Sequence, residues 1–206
     1  MVYHRFGGYY QLSPADWVEI DRLLISIKQN IRQIQVEEAK FAMLHTPETP
    51  YSSSRPVQFQ KWDSGEDEKE EEIRIDDPIT GKHYSISVKR KLTFAEKVDQ
   101  ILDERGLKRP EVYRRAGMDR TLFSKILSNR NYSPSKDTAI SVAFGLKLSL
   151  EEAEDLLKRA GYALSHSVAR DLVIECCFRE GIYDVVKVNI ILEELGYLPL
   201  NKIAYK

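Results

Sequence analysis

The 206-residue sequence contains little cysteine and no long apolar run, and each absence excludes a class of protein. Its two cysteines, Cys176 and Cys177, are neighbours in an apolar helical pattern. A disulfide between adjacent residues is strained, and a vicinal pair alone is not a metal site, so we expect two buried thiols. The apolar stretches are far shorter than the roughly 18 residues of a membrane-spanning helix. The sequence therefore predicts a protein without a membrane partner.

Targeting and catalytic signals are also scarce. The first residues, MVYHRFGGYYQL, lack the apolar core of a signal peptide, so we expect a cytoplasmic protein. Gly81 and Lys82 lack the glycine-rich lead and the Ser or Thr of a phosphate-binding loop. Ser165 and Ser167 flank His166, but adjacency in sequence does not orient a base towards a nucleophile. We expect no enzyme and no cofactor, and the scattered histidines predict no metal site: His4, His45, His83 and His166.

The net charge of −1 conceals two opposite segments. Residues 89–136 contain thirteen lysines and arginines against six acidic residues, whereas residues 63–77 contain nine acidic residues against two basic ones. A basic segment of this size is the electrostatic footprint of a nucleic-acid binder, although a solvated helix face produces the same count.

A long helix is predicted near the N-terminus, within residues 1–45. Ser13 is a good N-cap, Pro14 suits the first helical position and Asp16 suits the first turn. The following apolar residues repeat with heptad spacing, which is compatible with a coiled-coil homodimer. The alternative is a helix folded back on its own chain. The predicted dimerisation residues are Trp17, Ile20, Leu24, Ile27, Ile31, Ile34 and Phe41.

The next two segments differ in composition. Residues 46–72 are rich in proline, serine and acidic residues and predict a flexible acidic linker. Residues 73–92 alternate apolar and polar side chains on either side of a Pro-Ile-Thr-Gly turn, which predicts a β-hairpin.

A series of short helices follows Thr93. Thr93 and Glu96 form a capping box, and Gly106 ends the first helix. Further helices are predicted at about 108–116, 119–128, 135–145, 149–160, 167–180 and 184–195. Glycines 145, 161, 181 and 196 are predicted to end four of them. The fold class expected is mainly α, with a domain over 93–157 and a helical extension over 158–206.

The segment from Thr93 to about Leu157 resembles the XRE family, the helix-turn-helix domains of Cro and lambda-type phage repressors. The resemblance is carried by the apolar opening of the motif, the turn glycine, the anchors of the second helix and the lead into the next helix. These positions are Leu107, Glu111, Val112, Gly117, Phe123, Ile126 and Pro134 to Thr138. The C-terminal part, with AGYALSHS, is similar to the extension of a group of bacterial XRE-type proteins.

The resemblance implies a DNA-reading helix that begins after Asp119. With Phe123 and Ile126 in the core, the outward face of this helix is expected to enter the major groove. The residues implied to contact bases are Arg120, Thr121, Ser124 and Lys125. The residues implied to position the DNA backbone are Arg109, Asn129, Arg130 and Tyr132.

Two positions depart from the family pattern. Tyr113 stands where a small residue usually allows two helices to cross closely, so it must push them apart or point outward. Leu122 stands where the repressors tend to be polar, and an exposed leucine there suits a protein partner as well as DNA. The sequence predicts a sequence-specific DNA-binding regulator, a repressor that binds double-stranded DNA as a homodimer. The alternatives left open are an antitoxin-like or effector-binding protein-interaction module, and RNA binding.

Overall fold

The protein is described by a computed structural model over residues 13–44, 68–76 and 83–200, without the side chains of 41–44 and Asp76. This part of the chain contains eight helices and one two-stranded antiparallel sheet, so the mainly α fold class with a small hairpin is confirmed. None of its helices is both long and apolar enough to cross a membrane. The elements are α1 (Pro14–Leu44), β1 (Glu68–Asp76), β2 (His83–Lys91), α2 (Phe94–Glu104), α3 (Arg109–Arg115), α4 (Arg120–Ser128), α5 (Lys136–Gly145), α6 (Leu150–Arg159), α7 (Ala169–Arg179) and α8 (Val185–Glu194).

Side-chain caps fix where several helices begin. The predicted capping box of α2 is present: the Thr93 hydroxyl accepts from the backbone N–H of Glu96, and the Glu96 carboxylate accepts from the backbone N–H of Thr93. Ser149 and Glu152 form the same reciprocal pair at α6. Each box satisfies two backbone donors that have no partner within the helix, which explains why local sequence predicts these starts.

The end of α5 differs from the prediction. Gly145 is the last helical residue and does not stop the helix through a left-handed conformation. Lys147, two residues later, takes the positive φ of 54° instead, and the backbone N–H of Leu148 donates to the carbonyl of Ala143. A residue with a side chain therefore occupies a conformation that favours glycine.

Gly145 is used for a close approach between α5 and α3. A Cβ atom placed there would lie 2.7 Å from the carbonyl oxygen of Val112 and 2.9 Å from the Cβ of Ala116. Tyr113 is half-buried and tilted against Phe123, with ring centroids 6.2 Å apart. The close crossing is thus made by Ala116 and Gly145, while Tyr113 fills space between α3 and α4.

One hydrophobic core runs through both predicted halves of the helical region. Phe144 in α5 stacks on Phe178 in α7, with ring centroids 4.0 Å apart. The same core contains residues from α2 to α8, so the extension after residue 157 packs directly against the domain before it. Cys176 and Cys177 are buried, free thiols, as predicted, and burial raises the pKa of Cys176 to about 11.

The long helix α1 packs against α7 and α8 of its own chain. Ile20 and Ile27 are fully buried, and Leu24, Ile31 and Ile34 are partly buried against the same core. Trp17 is half-buried, and the Phe41 side chain lies outside the described residues.

Polar contacts hold α1 in place. Lys187 lies 2.7 Å from Glu19, and the Asn30 amide donates to Glu180 at 2.6 Å. Of the two alternatives for this helix, the structure contains the one folded back on its own chain. Ile20 and Ile27 therefore do not form an exposed dimerisation surface, because their side chains are already buried within the chain.

The hairpin begins earlier than predicted. β1 starts at Glu68, so residues 68–72 of the predicted linker are strand, and the rest of that linker and the turn at 77–82 lie outside the described residues. The register places Glu68 opposite Lys91 and Glu70 opposite Lys89. Cross-strand pairs of opposite charge stabilise a strand that is too acidic to be recognised from its own residues.

Candidate nucleic-acid interface

The α3–turn–α4 unit is built from local signals around Gly117. Ala116 is the C-cap of α3, and Gly117 has a φ of 62°, a left-handed conformation that glycine adopts without steric cost. The backbone N–H of Met118 donates to the carbonyl of Tyr113 at 3.0 Å. Asp119 then caps α4, because its carboxylate accepts from the backbone N–H of Leu122 at 2.8 Å. These contacts set the angle between the two helices.

Helix α4 has two distinct faces. Phe123 and Ile126 are buried, as predicted, and Leu122 is half-buried against the core instead of exposed. The helix contains no acidic residue. Its exposed side chains include the four residues predicted to read bases: Arg120, Thr121, Ser124 and Lys125. A neutral-to-basic polar face next to an apolar anchor is what a groove-reading helix requires.

The two basic side chains of this face, Arg120 and Lys125, differ in the contacts they make. Within the described residues, the Arg120 guanidinium has no carboxylate partner. The Lys125 ammonium lies 5.7 Å from the centre of the Tyr132 ring, a cation–π contact that keeps its positive charge. Arg120 is therefore the group on α4 most available to a ligand.

Two of the residues predicted to position a backbone lie at the edges of this face. Arg109 is the first residue of α3 and forms an exposed ion pair with Asp99 at 3.2 Å. Such a pair is weak and is screened by salt, so it can be exchanged for another anion. Asn129 follows α4, and its side-chain oxygen accepts from the backbone N–H of Asn131 at 3.1 Å, which orders the loop.

Arg130 is held within the chain. Its guanidinium lies 2.6 Å from Glu71 in β1 and 3.2 Å from Glu96 in α2. Arg90 in β2 shares both carboxylates, at 2.5 Å from Glu71 and 2.7 Å from Glu96. Hydrogen bonding from Arg90 lowers the pKa of Glu96 to about 2, so this carboxylate is charged at neutral pH. The two arginines and two carboxylates join the hairpin to the loop after α4.

Sequence reasoning missed this network. The acidic segment was predicted to be a mobile linker, and nothing local indicates that Glu71 lies beside Arg130. The only available signal was the juxtaposition of an acidic and a basic segment along the chain, since opposite charges that flank a hairpin tend to pair across it.

His166 is engaged by carboxylates on both ring nitrogens. Nδ1 contacts Glu38 in α1, and Nε2 lies 2.7 Å from Glu175, a buried carboxylate in α7. Hydrogen bonding to Glu38, followed by that to Glu175, raises the pKa of the imidazole. The Ser165 hydroxyl instead accepts from the backbone N–H of Ser167. His166 therefore joins two helices, and neither ring nitrogen serves a serine.

No metal-binding cluster of histidine, cysteine and carboxylate side chains exists in the part of the chain that the structure describes. No protein-family model, curated protein or solved structure matches this chain. What supports a function is accordingly the geometry of α3 and α4 and the charges around them.

Proposed function

We propose that this protein is a sequence-specific, double-stranded-DNA-binding regulator of the XRE type, with α4 as its recognition helix. The observation that carries the proposal is the division of α4 into a buried anchor, Phe123 and Ile126, and an exposed polar face free of acidic residues. The Gly117 turn and the Asp119 cap hold this face outward. Repression of transcription is the outcome expected of such a domain when it occupies a promoter.

The four exposed side chains of α4 that were predicted to read bases each suit a particular contact. Arg120 lies in the first turn and has no carboxylate partner in the described chain, so it is suited to a bidentate contact with guanine O6 and N7. Thr121 offers a methyl group to thymine, and Ser124 can donate or accept. Lys125 lies four residues, or about one helical turn, after Thr121 and contributes a second cation.

Positioning on the DNA backbone requires cations beside the reading face. Arg109 supplies one from the start of α3, and the loop that contains Asn129 and Tyr132 supplies polar groups next to α4. Arg130 is the one basic residue in the sequence of this loop, 129–135, but it contributes only after Glu71 and Glu96 release it. The resting charge of the loop is therefore lower than its sequence suggests.

A protein-interaction module is the second candidate, and a specific observation favours it. The hairpin carries several half-exposed apolar side chains, and contiguous exposed apolar residues are typical of a protein contact. On α4, by contrast, an exposed Leu122 would have suited a protein partner, but its side chain is half-buried. The two candidates therefore use different surfaces, α4 for DNA and the hairpin for protein.

The test is selection of binding sites from random double-stranded DNA, followed by affinity measurements on point variants. Arg120→Ala is expected to cost roughly 1–3 kcal/mol on the selected site and to relax the preference at one base pair. Arg130→Ala is expected to weaken all sequences alike and to flatten the salt dependence. Lys28→Ala, which removes an exposed charge from α1, is the matched control and should leave binding unchanged.

Two results would contradict base readout. One is failure to enrich any sequence from the random pool. The other is an equal, sequence-independent loss from Arg120→Ala and Arg130→Ala, since that result assigns both arginines to backbone contact alone.

A further inference from the structure

Two arginines, one in the hairpin and one after α4, direct N–H groups at the same carboxylate oxygen. Arg90 Nε donates to Oε2 of Glu71 at 2.5 Å, and Arg130 Nη2 donates to the same oxygen at 2.6 Å. Other nitrogens of both guanidiniums face Glu96. Arg90 donates to its two oxygens at 2.7 and 2.9 Å, and Arg130 Nε lies 3.2 Å from it. Glu96 thus orients the two guanidiniums, which we call the arginine pair.

The two carboxylates differ in how firmly they are held. The Glu96 side chain is 14% exposed, belongs to the capping box of α2 and has Lys69 as a further neighbour at 3.5 Å. The Glu71 side chain is 43% exposed, and among the described residues its carboxylate is held by the arginine pair. Exposed ion pairs are weak and exchange readily with ions in solution. Glu96 is therefore a fixed part of this cluster, and Glu71 is the exchangeable part.

Glu71 can leave without loss of apolar packing. Among the described side chains of β1 and β2, those of Glu71 and Arg90 are half-buried and the others are exposed. No described residue of either strand belongs to the buried hydrophobic core. The ion pair between Arg90 and Glu96 does not involve Glu71, so it still joins the hairpin to α2 when Glu71 turns into solvent.

The charges of the cluster favour replacement of Glu71 by another anion. Three basic side chains, those of the arginine pair and of Lys69, surround two carboxylates. When Glu71 turns away, one carboxylate remains against three cations, and the two N–H groups that it leaves lack an acceptor. Guanidinium groups bind carboxylates and phosphates through the same charge-assisted hydrogen bonds. The vacated position therefore suits one phosphate oxygen.

We propose that the arginine pair is a binding site for one phosphate of a DNA backbone, and that the Glu71 carboxylate occupies this site until the DNA displaces it. The location supports this source of phosphate, because Arg130 lies two residues after the end of α4 at Ser128. The inference rests on the proposed function. It adds Arg90, a hairpin residue outside the helix-turn-helix, to the residues that position the DNA.

A phosphate reaches the arginine pair from the side of Glu71. A cavity beside Glu96 is also lined by Glu68, Asp99 and Asp103, and its lining does not include Glu71 or the arginine pair. A concentration of carboxylates repels a phosphate, so approach through this cavity is unfavourable.

The contact with Glu71 lowers affinity for all duplexes alike. Displacement by a phosphate and pairing with Glu71 exclude each other at the arginine pair, so each weakens the other by the same free energy. Phosphates are common to every DNA sequence, and this competition leaves base preference to α4.

The first experiment contains no DNA and follows the arginine Nε–Hε signals of the isotope-labelled full chain by NMR. Inorganic phosphate replaces chloride at constant ionic strength. We expect the signals of Arg90 and Arg130 to shift, and to do so at several-fold lower phosphate concentration in Glu71→Gln than in the wild type. Arg74 is the internal control, because it is exposed on the opposite face of β1 from Glu71 and its signal should not shift.

The second experiment measures binding to a random duplex by fluorescence anisotropy across a salt series, with Glu71→Gln as the background. Adding Arg90→Gln is expected to weaken binding several-fold and to lower the logarithmic salt slope by up to about 0.9, the value for one phosphate contact. Adding Lys89→Gln is the matched control. It removes the same charge from the neighbouring residue of β2, on the opposite face, and should leave the slope unchanged.

A third variant separates phosphate contact from docking of the hairpin. Arg90→Lys keeps the charge but gives up the two-nitrogen contact with Glu96, so in the same background it should retain most of the salt slope. Far-ultraviolet circular dichroism checks that the helices of each variant remain folded.

Several outcomes would overturn the proposal. If neither arginine signal shifts with phosphate in Glu71→Gln, the site does not exist. Equal losses from Arg90→Gln and Lys89→Gln would assign the effect to overall charge, and an Arg90→Lys variant that behaves like Arg90→Gln would assign it to docking of the hairpin. Phosphate-induced shifts without any effect of Arg90→Gln on the duplex would show an anion site that DNA does not use.

Failure of base readout has a different signature. It appears as the absence of an enriched sequence in the selection from random DNA. Both experiments on the arginine pair use phosphate groups that every sequence shares, so their results do not depend on that selection.

Discussion

The Arg130 guanidinium lies 2.6 Å from a carboxylate oxygen of Glu71, across a separation of 59 positions in the sequence. A cation next to the proposed reading helix is thus neutralised by the first strand of the hairpin. The two side chains are 46% and 43% exposed, so the pair is open to water and to salt. If the protein binds DNA as proposed, a phosphate of the duplex would compete with Glu71 for the same guanidinium.

Removal of the Glu71 charge should strengthen binding to random DNA. Glu71→Gln lowers the negative charge beside Arg130 and leaves this arginine freer to neutralise a phosphate. We expect several-fold tighter binding at low salt and a logarithmic salt slope steeper by up to about 0.9, the value for one added phosphate contact. Fluorescence anisotropy with a random duplex across a salt series measures both quantities.

Glu72→Gln is the matched control for that variant. Glu72 is the next residue of β1, points to the opposite face and is exposed, so its substitution changes the net charge equally without touching Arg130. Equal effects of the two substitutions would assign the change to overall charge and refute a specific contact.

Gly145→Ala should destabilise the protein and weaken DNA binding together. The added methyl group would lie 2.7 Å from the carbonyl oxygen of Val112, so α3 and α5 must separate. Overpacking of this kind costs about 1–3 kcal/mol of unfolding free energy. Because α3 positions α4, the shift should also reduce affinity for the selected site. Chemical denaturation and anisotropy measure the two effects, and wild-type stability in the variant would show that the helices are not constrained there.

Lys147→Gly should stabilise the protein. Lys147 holds a φ of 54°, which costs a residue with a Cβ roughly 1–2 kcal/mol, and glycine removes most of that cost. After allowance for the greater freedom of glycine in the unfolded chain, we expect a gain of about 0.5–1 kcal/mol in denaturation. Lys147→Ala is the control, since it removes the charge but keeps the Cβ, and it should give no such gain.

The contacts of His166 predict a pH dependence of stability. Its folded-state pKa is raised by hydrogen bonds to Glu38 and then Glu175, because the imidazolium donates to both carboxylates while the neutral ring donates to one. A raised folded pKa means that this contribution is complete below the ordinary value of 6.5 and is lost as the pH rises through the folded-state pKa.

Thermal melts at pH values from below 6.5 upward test whether stability falls as the pH rises. The wild type should lose stability relative to His166→Gln as the pH rises, since glutamine keeps a donor but does not titrate. A proton NMR titration of the imidazole, assigned by its absence in the variant, gives the pKa directly. An unshifted pKa would mean that Glu38 and Glu175 do not hold the ring in solution.

The helices from Thr93 onward are predictable because their signals are local. Thr93 with Glu96 and Ser149 with Glu152 mark helix starts within four residues of sequence. Gly117 likewise marks the turn before α4, because the left-handed conformation that this turn requires is a local property of the glycine and does not depend on distant contacts. The composition of the α4 face follows once Phe123 and Ile126 are placed in the core.

The features that escaped prediction depend on contacts between distant residues. The acidic residues of β1 have low strand propensity, and only pairing with Lys89 and Lys91 makes them a strand. The apolar stripe of α1 has the same spacing whether it packs on a second chain or on its own α7 and α8, so periodicity cannot decide between them. The ion-pair partner of Arg130 is equally unpredictable from the sequence, because Glu71 reaches this arginine only through the position of the hairpin.

The packing of α1 on α7 and α8 also has a consequence for the order of folding. Lys187 and Glu19 are separated by 168 positions, so α1 leaves the ribosome long before the surface that covers Ile20 and Ile27 has been synthesised. Contacts of such high sequence separation form slowly, since the intervening chain must first be ordered. Until α7 and α8 emerge, the apolar stripe of α1 has no surface of its own chain to pack on, and transiently exposed apolar surface of this kind favours aggregation.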